Sequence, residues 1–225
     1  MSYFNANALP EPRNEYVAWV DLMGCQSQMA GSIKVVANSI FKLHVAAIEA
    51  RDAGVSVYPV MDGFYATAAE SATLKRFLTK VFSDIATLFK NEVHDHFRFV
   101  IRGAVAFGSI YHGREIGPDG AKRLEENLEY KASIFLGMPI IHAYKTEQQA
   151  PPFGLAVHAS ANEFFDDDTV HDWWPWFNGG FDVVGFAEAL STYYAWCRLK
   201  SDTLRYDLHR IVIHDALAAK YFKRG

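Results

Sequence analysis

A chain of 225 residues, half of them hydrophobic and 21% charged, is long enough to bury a substantial core and too apolar to remain disordered. Its formal charge of −4, with the basic residues scattered, excludes the clustered Lys and Arg that a nucleic-acid backbone demands. Two cysteines, Cys25 and Cys197, without CxxC or Cys/His spacing, argue against a disulfide framework and a structural zinc.

Residues 1–14 carry Pro10 and Pro12 and no alternation, which predicts a mobile arm without a secretory pattern. No stretch reaches the roughly 20 apolar residues that cross a bilayer, so a cytoplasmic location and no membrane partner are expected. The run YVAWVDL, residues 16–22, predicts a buried strand ending near Asp21. A helix is expected over residues 30–51, with Ile33, Val36, Ala37, Ile40, Phe41 and His44 at three- and four-residue steps and Gly54 as its stop. In VSVYPVMDGFYATAAE two β-prone arms flank Asp62-Gly63, a pair suited to a two-residue hairpin turn, and Pro59 marks an edge position.

Residues 71–93 repeat Leu74, Phe77, Leu78, Val81, Phe82, Ile85, Leu88 and Phe89 on one helical stripe. A strand follows over residues 97–107, then a polar, Gly-containing loop over 108–127, a helix over 138–148 and a final short strand over 153–157. Beyond residue 160 the segment EFFDDDTVHDWWPWFNGGFD is acidic and aromatic without a period. Two helical stretches end the chain, at 186–199 and 203–222, the second with Leu204, Leu208, Ile211, Val212, Ala216 and Leu217 as its apolar stripe. This order implies an α+β fold, one mainly antiparallel sheet with helices on one face. It divides the chain into an arm (1–14), a domain (15–160) and a C-terminal helical appendage (161–225) packed on that domain or on a partner subunit.

Asp21 closes an apolar strand, where a carboxylate is costly to desolvate unless it is paired or binds metal; the plainer role is a cap for the adjoining loop or helix. Asp62 alone is explained by its turn. Together, on neighbouring strands, two carboxylates could converge on hard divalent cations that clamp a phosphate. Arg102, inside an apolar strand, requires a partner, and a structural ion pair is the favoured reading. His94-Asp95-His96, the acidic run Asp166-Asp167-Asp168 and the aromatics Trp173, Trp174 and Trp176 are read as surface, solvated loop and packing features respectively.

The segments YVAWVDLMGCQSQM, VYPVMDGFYAT, FRFVIRGAVAFGSIYHG and FLGMPIIHAYKTEQ resemble, in order and spacing, the class III nucleotide cyclase domain, with its ferredoxin-like, palm-type sheet. The resemblance covers about residues 15–160. It implies that Asp21 and Asp62, with the Leu22 backbone, hold two Mn²⁺ or Mg²⁺ ions, and that the backbone of Met23, Gly24 and Cys25 cradles phosphate. The family's purine-reading Lys and Asp fall on Tyr58 and Ile134, its Asn on Ile141 and its transition-state Arg on Lys145. Loss of those polar groups argues against a purine.

With its short G-x-P-I-I-x-A-Y-K-x-E helix, the pattern resembles the pyrimidine cyclases of the bacterial Pycsar antiphage system. That resemblance implies a homodimer with sites at the interface, converting UTP (favoured) or CTP to the 3′,5′-cyclic monophosphate. The product would activate a separate effector. Lys145 and Arg102 are the cationic candidates for catalysis, with a solvated helix Lys the plainer role for Lys145. Tyr58 can face the base or simply pack. The alternatives are a purine cyclase and an inactive cyclase-like nucleotide-binding or dimerisation module.

Overall fold

The computed structural model describes residues 4–29, 31–165, 172–177 and 180–223. Asp166, Asp167 and Asp168, and Ala30 at the expected start of the first long helix, lie outside them. Strand β1 (Arg13–Leu22) is buried without interruption from Glu15 to Val20. A strand covered on both faces belongs in the middle of a sheet, and β1 pairs antiparallel with β3 (Gly63–Ala68) on one side and β4 (Ile101–His112) on the other. The short helix α1 (Cys25–Met29) follows it.

Strand β2 (Ser56–Val60) lies outside β3 at the sheet edge, where the missing N–H of Pro59 does no harm. Beyond β4 come β6 (Leu155–Val157), parallel to it, and β7 (Trp173–Trp174), while β5 (Phe135–Gly137) pairs with the far end of β4. The strand expected to be last, β6, is therefore followed by another. The polar loop expected over 108–127 is partly strand: β4 runs on to His112, and two 3-10 turns and α4 (Pro118–Ala121) occupy the rest. Residues read as a mobile arm begin the structure differently. The Asn5 amide donates to the Gly120 carbonyl at 2.9 Å, and β1 already starts at Arg13.

Helices α2 (Ile33–Glu49) and α3 (Ser71–Asn91) cover one face, as the pattern implied. The α3 stripe is buried as read, except for exposed Leu88. On α2 the stripe is rotated: Val36, Leu43, Ala46 and Ala47 are buried, whereas Ile33 and Phe41 face solvent. Apolar residues occur all round α2, so periodicity alone could not choose its inner face.

The second face of the sheet carries α6 (Met138–Glu147), whose Ile140 and Ala143 pack on Val17, Trp19 and Ala106. Helix α5 (Leu128–Ser133) leads into β5. At the C-terminal end α7 (Val183–Leu199), α8 (Ser201–Leu204) and α9 (Leu208–Phe222) close over the edge of the main core. Trp173, Trp174 and Trp176 are buried there, and Trp176 Nε1 donates to the Phe153 carbonyl at 2.6 Å. The single helix expected over 203–222 is broken at Arg205, which sits at φ +52. Its stripe shifts accordingly, with Ile211, Ala218, Tyr221 and Phe222 buried and Leu208 and Val212 exposed. Among the described residues no helix is long and apolar enough to cross a membrane.

Candidate active site

Alternation along β1 sends Val17, Trp19 and Asp21 to the second face, so Asp21 is the polar end of an otherwise apolar row. Its Oδ1 is buried without a hydrogen-bond partner. Burial pushes its carboxyl up to about 7, and the charges of Asp62 and Glu147 add to that rise. Arg102 and the Leu22 amide act in the opposite direction and do not offset it. A buried acceptor without a donor costs about 1–3 kcal/mol, which a cation would recover.

The hairpin brings the second carboxylate to the same place. Val60 pairs with Gly63 and Asp21 with Gly63, so the two-residue turn Met61-Asp62 stands beside the end of β1. The left-handed backbone is at Met61, φ +48, and not at Gly63 as the Asp-Gly pair suggested. Gly63 is needed for a different reason. A Cβ there would lie 2.3 Å from the Val20 carbonyl and 2.8 Å from the Trp19 ring. Removing the side chain lets β3 close on β1, which is what holds Asp62 near Asp21.

The turn after β1 is only partly free to bind anions. The Met23 amide donates to the Val100 carbonyl at 2.8 Å, and the Leu22 side chain is buried in the main core. Gly24, at φ +75, and Cys25, which opens α1, have amides without acceptors among the described residues. Of the expected cradle of Met23, Gly24 and Cys25, two amides remain. The Cys25 thiol is pushed up to about 12 by burial and by its hydrogen bond to the Asp62 carboxylate, so it is inert as a nucleophile.

Arg102 stands opposite Asp21 in register and its Nε donates to Glu147 Oε1, an ion pair with Glu147 almost fully buried. Burial raises the Glu147 carboxyl and outweighs the pull of Arg102. Lys145, two residues earlier on α6, is exposed and has no ion-pair partner among the described residues. The charges acting on Asp21 are therefore Asp62, Glu147 and Arg102, and not Lys145.

The base-side candidates lie elsewhere. Tyr58 is buried, stacks on Phe135 with centroids 4.1 Å apart, and gives its hydroxyl proton to His112 Nδ1. His112 Nε2 lies 3.1 Å from Glu15 Oε1, and a carboxylate can only accept, which assigns the proton to His112. Burial raises the Glu15 carboxyl, but the hydrogen bond with His112 and the nearby Thr67 hydroxyl hold it below the usual range. Ile134 uses its carbonyl to accept from the Gly113 amide at 2.7 Å, and Ile141 is exposed on α6. From Asp21 to Glu15 is six residues of strand, about 20 Å. One chain therefore separates the carboxylate pair from Glu15 and Ile134, whereas Tyr58, in register with Tyr65 and Trp19, starts only two residues from the level of Asp21 and turns its hydroxyl away to His112.

Glu147 and His112 were missed in the sequence. Arg102 in an apolar strand was the signal for Glu147, since such a cation needs an anion. Nothing local marked His112. Among the described residues no three His, Cys, Asp or Glu side chains gather as a metal-holding group, and His94 and His96 are exposed. Two carboxylates nonetheless suit Mg²⁺ or Mn²⁺, which takes one or two protein carboxylates and completes its shell with water and phosphate oxygens. The orphaned Asp21 oxygen fits that donor set.

No protein-family model and no curated protein matches this sequence. Solved structures do. A bacterial light-regulated adenylyl cyclase superposes with a TM-score of 0.55 at 14% identity, over 73% of this chain and 49% of that one. The catalytic core of a rhodopsin-guanylyl cyclase with converted specificity, in complex with ATPαS, gives 0.54 at 13% identity, over 72% and 86%. The monomeric guanylyl cyclase domain of the RhoGC fusion protein from the aquatic fungus Blastocladiella emersonii gives 0.53 at 12%, over 70% and 87%. The seven-stranded α+β architecture is the fold of class III cyclase domains.

Proposed function

We propose that this chain is a metal-dependent nucleotide cyclase acting on a pyrimidine nucleoside triphosphate, with UTP favoured and CTP the other candidate. The observation that carries the reading is the Asp21 carboxylate, half-orphaned and facing Asp62 at the end of the central strand of a cyclase fold. Asp21 and Asp62 would hold two Mn²⁺ or Mg²⁺ ions, whose chemistry is to neutralise the triphosphate and acidify the ribose 3′-hydroxyl.

The chain's own groups do the rest. Asp21 releases its proton to become a ligand, which couples binding to pH. The free amides of Gly24 and Cys25 donate to phosphate oxygens. Lys145 is the candidate for charge at the α-phosphate; it is exposed on α6, where a second copy could meet it. The distance of Ile134 from the carboxylate pair, at the far end of β4 beside Gly113, supports a site shared between two copies. So does the exposed apolar strip of Leu136, Met138, Ile141 and Tyr144, which is suited to a head-to-tail homodimer.

Tyr58, Ile134 and Ile141 offer a base no free polar group of the purine-reading kind, and this supports a pyrimidine. On this reading the cyclic product is a second messenger for a separate effector in antiphage defence.

The test is to incubate the protein with Mn²⁺ and each of the four NTPs and to measure cyclic monophosphate. UTP or CTP as best substrate supports the proposal; ATP or GTP would move the activity to a purine. No product from a folded protein would sink the enzyme reading in favour of an inactive module.

A further inference from the structure

The C-terminal helices do more than fill the edge of the core. Between them and the end of the sheet lies a cavity of about 200 Å³, bounded by Met23 and Gly24 on one side and by α7, α8 and α9 on the other. That volume is below the range of pockets that take a whole small ligand, so it suits one end of a longer one. It opens beside Arg102, the residue in register with Asp21.

Its lining is cationic. Arg102, Arg205 and Arg210 all border it, and among the described residues neither Arg205 nor Arg210 has an ion-pair partner. The acidic side chain at the rim, Asp207, is engaged in capping α9 and accepts from the Arg210 amide at 3.0 Å. Arg205 also holds a left-handed backbone, φ +52, at the C-cap of α8, a position that glycine fills more easily. A neutral donor completes the set. Tyr194 is 1% exposed and lines the cavity. Its hydroxyl stands beside Tyr206 yet makes no hydrogen bond of normal geometry. The Tyr206 hydroxyl is itself bonded to His214 Nδ1.

We infer that α7, α8 and α9 build a subsite for the distal phosphates of the nucleoside triphosphate, with Arg205 and Arg210 as its cations and the Tyr194 hydroxyl as its neutral donor. The subsite rests on the proposed nucleotide site for the identity of its ligand, but its affinity for oligophosphate does not depend on turnover. Chain continuity explains the placement: the β1 turn leads from Asp21 directly to the mouth of the cavity, so a triphosphate held at the carboxylates extends its tail towards α8 and α9.

The experiment titrates inorganic tripolyphosphate calorimetrically into the 225-residue chain, with chelator and with Mg²⁺. The variants are Arg205→Gly, Arg210→Ala and Tyr194→Phe, with Arg76→Ala on α3 as the charge control. Arg205→Gly suits its cap, and Tyr194→Phe removes only a hydroxyl without a hydrogen bond of normal geometry, so both leave the fold intact. Each arginine variant is expected to weaken binding by about tenfold and Tyr194→Phe by about threefold, while Arg76→Ala stays at the wild-type value. A non-hydrolysable α,β-methylene UTP is expected to compete with tripolyphosphate. Unchanged affinity in both arginine variants overturns the subsite, and binding without competition overturns its assignment to the substrate's tail. Arginine-dependent binding in a protein that cyclises no NTP would leave the anion subsite standing and remove the cyclase reading.

Discussion

Tyr16, Ala18, Val20 and Leu22 leave β1 towards α3, while Glu15, Val17, Trp19 and Asp21 leave the same backbone in the opposite direction. The first row meets Phe64, Phe77 and Phe82, and none of its side chains carries an unanswered polar atom. The second row ends in an Asp21 oxygen and a Trp19 Nε1 that are buried without partners, and in a Glu15 tied to His112. The first row of β1 is satisfied within the folded chain. The other holds polar groups whose desolvation is compensated only by something outside the chain, and such groups concentrate where binding occurs.

The largest expected contrast is between losing turnover and losing the fold. Asp62→Ala should lower kcat/KM by about ten-thousandfold or more, about 5 kcal/mol on the barrier, with the solution mass by light scattering unchanged from wild type. Retained activity in that variant would remove Asp62 from the site. On the opposite face, Phe82→Ala should cost about 4 kcal/mol of stability in urea unfolding, because Phe82 is fully buried on the inner stripe of α3. A cost as small as that of a surface substitution would erase the distinction between the faces.

The smallest effect has the opposite sign. The folded chain holds a proton on Asp21 up to about pH 7, well above the 3.8 of an ordinary Asp. The folded state therefore binds more protons than the unfolded state in between, and stability falls as pH rises from about 4 to 7. Asp21→Asn should remove that loss; the full rise would be worth about 4 kcal/mol, and solvent reaching the partly exposed residue reduces the expected gain of the metal-free protein at pH 8 to about 2 kcal/mol, roughly 4–8 °C in Tm. At pH 4 the variant and wild type should melt together. A gain equal at both pH values would show that the carboxylate's charge is not its cause.

The legible part of the fold was the part with one clear period. The α3 stripe was buried nearly as read, whereas α2 and α9 presented apolar residues on several sides and their inner faces were decided by what lay opposite. The hairpin was visible, but Gly63 turned out to serve contact with Trp19 and Val20 and not the turn's φ. Arg102 announced that it needed an anion, and the identity of that anion, 45 residues away, depended on how α6 lies along β4.

By itself the sequence determined the α+β order of elements, the strand-end position of Asp21 and the hairpin position of Asp62, because strand alternation and turn chemistry are local properties. The resemblance it carries is what makes Tyr58, Ile134 and Ile141 the proposed base-side positions. Only the tertiary structure decided that Asp21 is orphaned and protonated up to neutral pH, since desolvation depends on everything packed around the group. It alone decided, too, that Arg205 and Arg210, more than 180 residues further along the chain, come to the cavity beside the β1 turn. No spacing in the sequence encodes that approach; it arises from burying the aromatic side of the C-terminal helices against the edge of the core.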